Sequence, residues 1–372
     1  MLIVKSDNFD KFVCKAGDCP ESCCSGGWEI IIDDESMKRY TSDTGNAELN
    51  KRLADGLTHN DDGYMFRQTG KDCCMLDPDG LCSIQKALGE EGLCNTCSRY
   101  PRHVEEFEGI REWSLSLSCP EAARIILSRT EPLSFLEGRT DEEDAPEEYE
   151  EFDNMFYSML NDARNKIFGM IQDRTLSFKE KAVKIESFCM ALQDCVDNDR
   201  MFDMDALIYD GEGDSVPDVT DNNGDIDKET TELVADGIHV IDESLEINHD
   251  PLHKNLFRVM FELEVLKGDW EDITERTWDE WDDELKLSAE QEIQAEQLLM
   301  FWIYTYFCGA AYDGWIFSKA MLAICSTWWI MQINAANSFK GGIIEAAYRY
   351  AREIEHSDEN LNALEEWFMR RE

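Results

Sequence analysis

Ten of the chain's fourteen cysteines lie between positions 14 and 119, in short, patterned spacings. They run Cys14, Cys19, Cys23 and Cys24, then Cys73, Cys74 and Cys82, then Cys94 and Cys97, with Cys119 following. Short turns between thiols let several thiolates converge, which is what a soft metal ion or an iron–sulfur cluster requires. The loops between them are rich in Gly, Asp and Pro, so this region is expected to be organised by its metal. Cys189, Cys195, Cys308 and Cys325 stand apart, among apolar neighbours.

The rest of the chain narrows what such a region can serve. With 372 residues, 43% of them apolar, and ten tryptophans, it can bury a substantial core. It carries 80 acidic against 35 basic residues, a formal net charge of −45. That field repels nucleic-acid phosphates and attracts lysine-bearing protein surfaces. The start, MLIVKSDNFDKF, has no secretory pattern, so a reducing, cytoplasmic setting is expected. Clustered thiols there are metal-bound or catalytic more often than oxidised. Two apolar runs, Leu298–Tyr312 and Ala320–Ile333, are expected as buried core helices rather than transmembrane segments. The first has only fifteen residues and the second loses its apolar character at Gln332 and Asn334.

The predicted fold is mainly α: an irregular, metal-organised, cysteine-rich N-terminal domain over residues 1–120, followed by an α-helical body. A helical segment is expected over 121–204, an acidic flexible linker over 205–231, and a helical C-terminal body over 232–372. Within the first region, the β-branched run Trp28–Ile32 predicts a strand, and Asp77-Pro78-Asp79-Gly80 predicts a turn that returns the chain toward Cys82. Pro120 is placed to open a helix, and Phe152–Cys195 has helical apolar spacing. The acidic stretch Asp141–Asp153 reads as a solvated linker or a helix's first exposed turns. Asp221–Asp225 imitates a calcium loop, but its glycine is misplaced and no chelating Glu follows. Near the end, Gly341-Gly342 start a helix with an apolar face of Ile344, Ala347, Tyr348, Ala351 and Ile354. Another helix begins near Ser357 and buries Leu361, Leu364 and Phe368.

Spacing favours some metal chemistries over others. A structural zinc site commonly uses two CxxC knuckles. Only Cys94-x2-Cys97 is an ordinary knuckle and Cys19-x3-Cys23 is close to one, which leaves most of the thiols unused. Iron–sulfur clusters accept more varied spacing, and Trp28, Tyr100, Trp113 and Leu115–Leu117 could supply the low-polarity surroundings they need. The radical CxxxCxxC pattern fails after Cys23, where its third cysteine is missing. Walker A, dinucleotide and HExxH motifs are absent. The six histidines are not paired at ligand spacing, and His356 reads as a capping or surface residue.

Several segments resemble the flagellin lysine-N-methylase family, often called FliB. They are Phe12-Val13-Cys14 through Cys24-Ser25-Gly26-Gly27-Trp28, Asp79-Gly80-Leu81-Cys82-Ser83-Ile84-Gln85, Cys94-Asn95-Thr96-Cys97-Ser98-Arg99-Tyr100-Pro101-Arg102, and Leu115-Ser116-Leu117-Ser118-Cys119-Pro120-Glu121-Ala122-Ala123-Arg124. The tail Ala351-Arg352-Glu353-Ile354-Glu355-His356-Ser357-Asp358-Glu359-Asn360-Leu361 resembles that family's C-terminus. The cysteine half is also similar to zinc- or iron-chelating domains with a CxxxCxxCC-like signature. The resemblance implies a cytoplasmic enzyme that methylates lysines of flagellin, with S-adenosylmethionine as donor and a [4Fe-4S] cluster. It implies Cys14, Cys19, Cys23, Cys24, Cys73, Cys82, Cys94, Cys97 and Cys119 as metal ligands, with Cys73 rather than Cys74 in the family position. Among these, Cys19, Cys23, Cys94 and Cys97 are the first choice for one cluster, because each pair is one turn apart. A zinc- or iron-chelating module without catalysis, and a cluster-based redox protein, remain as alternatives. Lysine methylation needs a neutral amine, and a free lysine titrates near ~10.4, so burial or a nearby base must favour the amine. Tyr100, Arg102 and His103 are placed to reach such a pocket. The plainer reading is that Tyr100 packs and Arg102 pairs with a carboxylate.

Overall fold

The computed structural model describes the chain except residues 27, 29, 61–62, 142–151, 210–258, 283 and 371–372. A mixed four-stranded sheet joins the two ends of the N-terminal third. Its order is Arg102–Phe107, Ile110–Leu115, Leu2–Ser6 and Phe135–Arg139. Leu2–Ser6 runs parallel to Ile110–Leu115 and antiparallel to Phe135–Arg139. Phe107 pairs with Ile110, so the first hairpin turns on Glu108 and Gly109 alone. Gly109 has φ +75°, a backbone conformation that only glycine adopts freely.

This sheet lies on helices of the body. Glu112, buried within its strand, takes bidentate bonds of 2.5 Å from Arg164, which is 4% exposed on the helix Asn154–Gln172. Tyr157 adds a third donor at 3.1 Å. Tyr304 donates to the carbonyls of Val4 and Trp113, at 3.1 and 3.3 Å. A buried charge is costly unless paired in this way.

The helical expectation holds. Pro120–Leu127 opens on its proline, and Asn154–Gln172 and Phe178–Asp197 follow. Ser177 and Glu180 form a reciprocal cap on the last of these. Ile316–Ala336 is the axis of the body. It packs against Phe178–Asp197, Ala289–Tyr306, Gly342–Ile354, Asp358–Met369 and Trp270–Asp279. A helix apolar on every face must be surrounded in this way. By length and hydropathy it is the one helix among the described residues that could cross a membrane, yet 94% of its most apolar window is buried. Both apolar runs are therefore core helices. Leu364 and Phe368 are buried as expected, whereas Leu361 packs at the margin.

The N-terminal layer has its own small core of Ile30, Ile32, Tyr40, Leu49, Leu53, Phe66, Met75 and Ile84. The helices Asp34–Tyr40, Ala47–Gly56, Ser83–Leu88 and Asn95–Arg99 surround it. Trp28–Ile32 does not form the expected strand. Only Ile31 bridges Met65, because Asp33 immediately caps the next helix by accepting from the Ser36 amide at 2.9 Å. The same carboxylate accepts from the Asn95 amide at 2.8 Å and so fixes the Cys94 turn. The Asp77–Gly80 turn forms, with Leu76 bridging Cys82. Met204–Tyr209 is helical with Met204 and Ile208 buried, so helix covers the start of the segment read as a linker from 205. Residues 210–258, including the calcium-like Asp221–Asp225, lie outside the described residues, as does most of the acidic stretch 141–153.

Candidate functional site

Among the described residues every cysteine is a free thiol. Cys73, Cys94 and Cys119 are buried; Cys19, Cys23, Cys24, Cys74, Cys82 and Cys97 are half-buried; Cys14 is exposed. The ten thiols of the cysteine-rich region fall into two sets. Cys24, Cys73, Cys74, Cys82, Cys94 and Cys97 pack in or against the small N-terminal core. There the free thiols of Cys94 and Cys97 are neighbours, as are those of Cys73 and Cys74. Cys24 lies within electrostatic reach of Cys73, Cys82 and Cys97, and the Tyr40 ring within reach of Cys82, Cys94 and Cys97. Cys119 instead packs with Phe12, Leu115 and Ala122. Cys14 lies within reach of Cys19, Cys23 and Cys119, and Cys119 within reach of Cys19 and Cys23 as well. The sets meet at the adjacent free thiols of Cys23 and Cys24. Of the four ligands chosen first, Cys94 and Cys97 sit together with Cys23 in reach, while Cys19 stands with Cys14 and Cys119.

These thiols suit thiolate ligation. Backbone amides donate to Cys82 from Gln85 and Ile84, to Cys94 from Cys97, and to Cys119 from Ala122 and Glu121. Amide bonds to sulfur favour the thiolate and tune a bound metal. Within each neighbouring pair, one thiol (Cys24, Cys74 or Cys94) ionises more easily because its neighbour donates to it. Among the described residues no three of Cys, His, Asp and Glu converge as a single metal ion would require.

Beside the Cys119 set lies a polar network that spacing alone did not reveal. Glu355 follows the helix Gly342–Ile354. Its carboxylate accepts from the Ser118 amide at 3.1 Å, from the Ser116 hydroxyl at 3.2 Å and from the Tyr306 hydroxyl at 3.0 Å. Burial raises its pKa to about 7, opposed by His103 and by these donors. Burial also works against charge on His103, but its 2.6 Å bond to Glu105 and the charges of Glu105 and Glu355 prevail, and its pKa is raised. Tyr100 shares a 3.1 Å bond with the Ser118 hydroxyl, so it does more than pack. Among the described residues Arg102 pairs with no carboxylate; it donates to the Ser98 carbonyl at 3.4 Å and lies over the Phe12 ring.

His356 is neither a cap nor a surface residue. Half-buried, it stacks on Trp28 with centroids 5.3 Å apart and bonds the Ser118 hydroxyl at 2.9 Å. Burial, with Arg352 and Lys267 nearby, lowers its pKa to about 4, which keeps it neutral. Ser357 is the residue that caps the following helix. Gly26 makes room for the Trp28 ring: a Cβ there would meet the ring at 2.4 Å.

The C-terminal tail also holds the cysteine loop in place. Arg352, 2% exposed, donates to the Glu21 carboxylate at 2.6 Å, to the Glu21 carbonyl at 2.9 Å and to the Ser118 carbonyl at 3.0 Å. Lys267 reaches the Ser25 carbonyl at 2.9 Å. Glu21 and Ser25 flank Cys23 and Cys24, so tail and thiols form one unit. The signal for it was present in the sequence, because Ser116–Ser118 and Arg352–His356 both lie within the segments that carry the resemblance.

Comparisons with known proteins agree with this picture. The lysine-N-methylases of Salmonella typhimurium (strain LT2) and Salmonella choleraesuis (strain SC-B67) are each 31% identical, over 132 and 131 residues. Each match covers 34% of this chain and about a third of the relative, 33% and 32%. The flagellar biosynthetic protein FliU of Salmonella muenchen is 30% identical over 136 residues, 35% of this chain and 79% of that protein. No solved structure matches. Residues 164–372, which include Tyr306, Arg352, Glu355 and His356, match the model of the FliB lysine N-methylase C-terminal domain, and the chain belongs to the FliB lysine N-methylase family.

Proposed function

We propose that the chain is a protein-lysine N-methyltransferase acting on flagellin in the cytoplasm, with S-adenosylmethionine as donor and a thiolate-held [4Fe-4S] cluster. Family membership supports the class of activity. The observation that carries the reading is the enclosed Glu355 carboxylate, poised beside the cysteine loop with a pKa near neutrality. When bound, the donor would supply an electrophilic methyl group, and the cysteines between positions 14 and 119 would hold the cluster.

The chain's own groups answer the main chemical difficulty, the proton on lysine. Glu355, ionised, attracts the substrate ammonium and takes its proton, which a pKa of about 7 permits once burial has brought the lysine toward the same range. The freed lone pair forms the N–C bond as the donor's S–C bond breaks, releasing the thioether. The product leaves as the N-methylammonium cation, and Glu355 releases the proton it took to solvent, which restores the carboxylate. Trp28 and Tyr100 pack on the neutral His356, and Tyr306 donates to Glu355, so the site carries aromatic groups suited to a cationic sulfonium and an ammonium. Tyr100 and Tyr306 stay protonated because burial raises both phenols, so they can donate but do not compete for charge. The chain's net charge of −45 would draw a lysine-bearing partner toward the site.

The test is mass spectrometry of flagellin incubated with protein prepared without oxygen and with S-adenosylmethionine. Increments of about 14 Da on lysines are expected. An unchanged mass, with metal bound and the protein folded, would leave a chelating or redox module instead.

A further inference from the structure

The hydrogens around Ser118 can be counted, and the count fixes the direction of every bond. Its hydroxyl oxygen has three partners: the Tyr100 hydroxyl at 3.1 Å, His356 Nε2 at 2.9 Å and the Ser116 hydroxyl. The Ser116 hydroxyl in turn reaches Glu355 Oε2 at 3.2 Å. A hydroxyl holds one hydrogen and two lone pairs, and an ionised carboxylate only accepts. With Glu355 ionised, Ser116 therefore donates to it, and Ser118 must donate to Ser116. The Ser118 amide, 3.3 Å away, fills the second lone pair of Ser116. Ser118 then has no hydrogen left, so Tyr100 and His356 both donate to it. The ring is the Nε2–H tautomer, and Nδ1 carries the lone pair. Among the described residues the Nε2 bond is the ring's one hydrogen bond.

The row has a second state. Once Glu355 is protonated on Oε2 and donates to Ser116, each bond reverses: Ser116 donates to Ser118, and Ser118 donates to Nε2. A neutral ring that accepts at Nε2 carries its hydrogen on Nδ1. Ser118 is fully buried, so water does not compete for its hydroxyl. Consecutive residues at the end of the helix Gly342–Ile354, Glu355 and His356, are thus joined through two serines that follow the strand Ile110–Leu115. Charge on the ring is disfavoured by burial and by Arg352 and Lys267, so both states keep it neutral.

We propose that His356, Ser118, Ser116 and Glu355 form a proton relay, in which a substrate ammonium gives its proton to His356 Nδ1 and the carboxylate of Glu355 receives one at the far end. As Nδ1 takes the proton, the Nε2 hydrogen passes to Ser118, the Ser118 hydrogen to Ser116, and the Ser116 hydrogen to Glu355 Oε2. One proton enters and one arrives. Each serine ends with one hydrogen, the ring ends neutral as the Nδ1–H tautomer, and Glu355 ends as the acid. His356 is then the group that touches the substrate amine, between the rings of Trp28 and Tyr100, and Ser116 and Ser118 act through it. The proton source, a substrate lysine, is that of the proposed methyl transfer, whereas the tautomer is readable without turnover, so the two can fail independently.

The experiment reads the His356 ring by proton–nitrogen NMR in full-length protein carrying isotopically labelled histidine, with His356→Gln to assign the signals. The groups that face Glu355 are His103 and Glu105 from the sheet and Tyr306 from the body. Those that face His356 are Arg352, Lys267, Trp28 and Tyr100. Glu353 titrates in the same range as Glu355 but bonds the Leu266 and Lys267 amides rather than the serines. At about pH 8 the ring should be the Nε2–H tautomer, and it should turn over toward Nδ1–H as Glu355 takes up a proton on descent through about pH 7. Ser116→Ala cuts the row but leaves Glu355 its Ser118 and Tyr306 donors, so there the ring should stay Nε2–H over the same range. That variant should also methylate about a hundredfold more slowly. A wild-type ring whose tautomer ignores the titration, or that becomes a cation in that step, would overturn the proposal. So would a turnover that persists unchanged in Ser116→Ala, or methylation by that variant at the wild-type rate.

Discussion

The helical body and the cysteine-rich layer are held together by different means. The body surrounds Ile316–Ala336 with five helices and buries Trp302, Trp329 and Ile330 completely or nearly so. Apolar burial of that extent is sufficient to fold a domain. The layer has a core of about ten residues, two of them cysteines, and its helices are mostly under eight residues long. Helices that short are not stable alone. The layer is secured by polar anchors instead: the doubly used Asp33, the Arg52–Asp77 pair, and Arg352 and Lys267 reaching in from the C-terminal part. Small cores of this kind depend on a metal or crosslinks, and here every described thiol is free. The layer's short helices therefore lean on these anchors, whereas the body rests on apolar burial.

Four predictions can break or sharpen this contrast. Stripping metal with a chelator under reducing conditions should have the largest effect: amides of Asp34–Arg99 lose hydrogen-exchange protection while those of Ile316–Ala336 keep theirs. Loss of protection in both together would mean that the two regions are one cooperative unit. Next, Ile330→Ala opens a cavity in the body and should cost about 2–5 kcal/mol in denaturant unfolding, with metal content unchanged. Loss of metal in that variant would contradict the division. Arg352→Met removes the anchor between the regions and should cost about 2 kcal/mol or less, since Glu21 remains 22% exposed and can rehydrate. Its signature is faster metal loss to a chelator, with little change in the melting of the body.

The smallest effect concerns pH. Burial raises the pKa of Glu355 and Glu353 to about 7, above the ~4.3 of an unfolded glutamate. The native state therefore binds more protons than the unfolded chain between those values. The stabilisation is complete below the unfolded pKa and is lost as pH rises through about 7. The groups facing Glu355 are His103 and Glu105 from the sheet and Tyr306 from the body. Glu355→Gln should flatten the fall in melting temperature between about pH 4.5 and 7. Glu353 preserves part of the slope, and an unaltered slope would mean that Glu355 does not titrate in that window.

The body was largely legible from the sequence, because its apolar runs are long and Pro120 opens a helix. The sheet was not. Arg102, Glu105, Glu106, Arg111 and Glu112 interrupt the alternation that marks a half-buried strand, and Glu112 is buried only because Arg164, 52 positions away, pairs with it. Trp28–Ile32 failed the other way: its local propensity favoured a strand, but the Asp33 cap ended it after one bridge. The division of the thiols was not legible, since adjacent Cys23 and Cys24 fall to different sets. Glu355 was hidden for a similar reason. Its donors Ser116, Ser118 and Tyr306 come from two segments far from it in sequence.

Glu355 and the cysteine loop are proposed to form one methylating site. Its most direct test compares wild type and Glu355→Gln, prepared without oxygen and matched for metal content, for the rate at which about 14 Da increments accumulate on flagellin lysines. Glu355→Gln should bind metal normally and methylate at least about a hundredfold more slowly. Methylation at the wild-type rate by that variant would contradict the proposal.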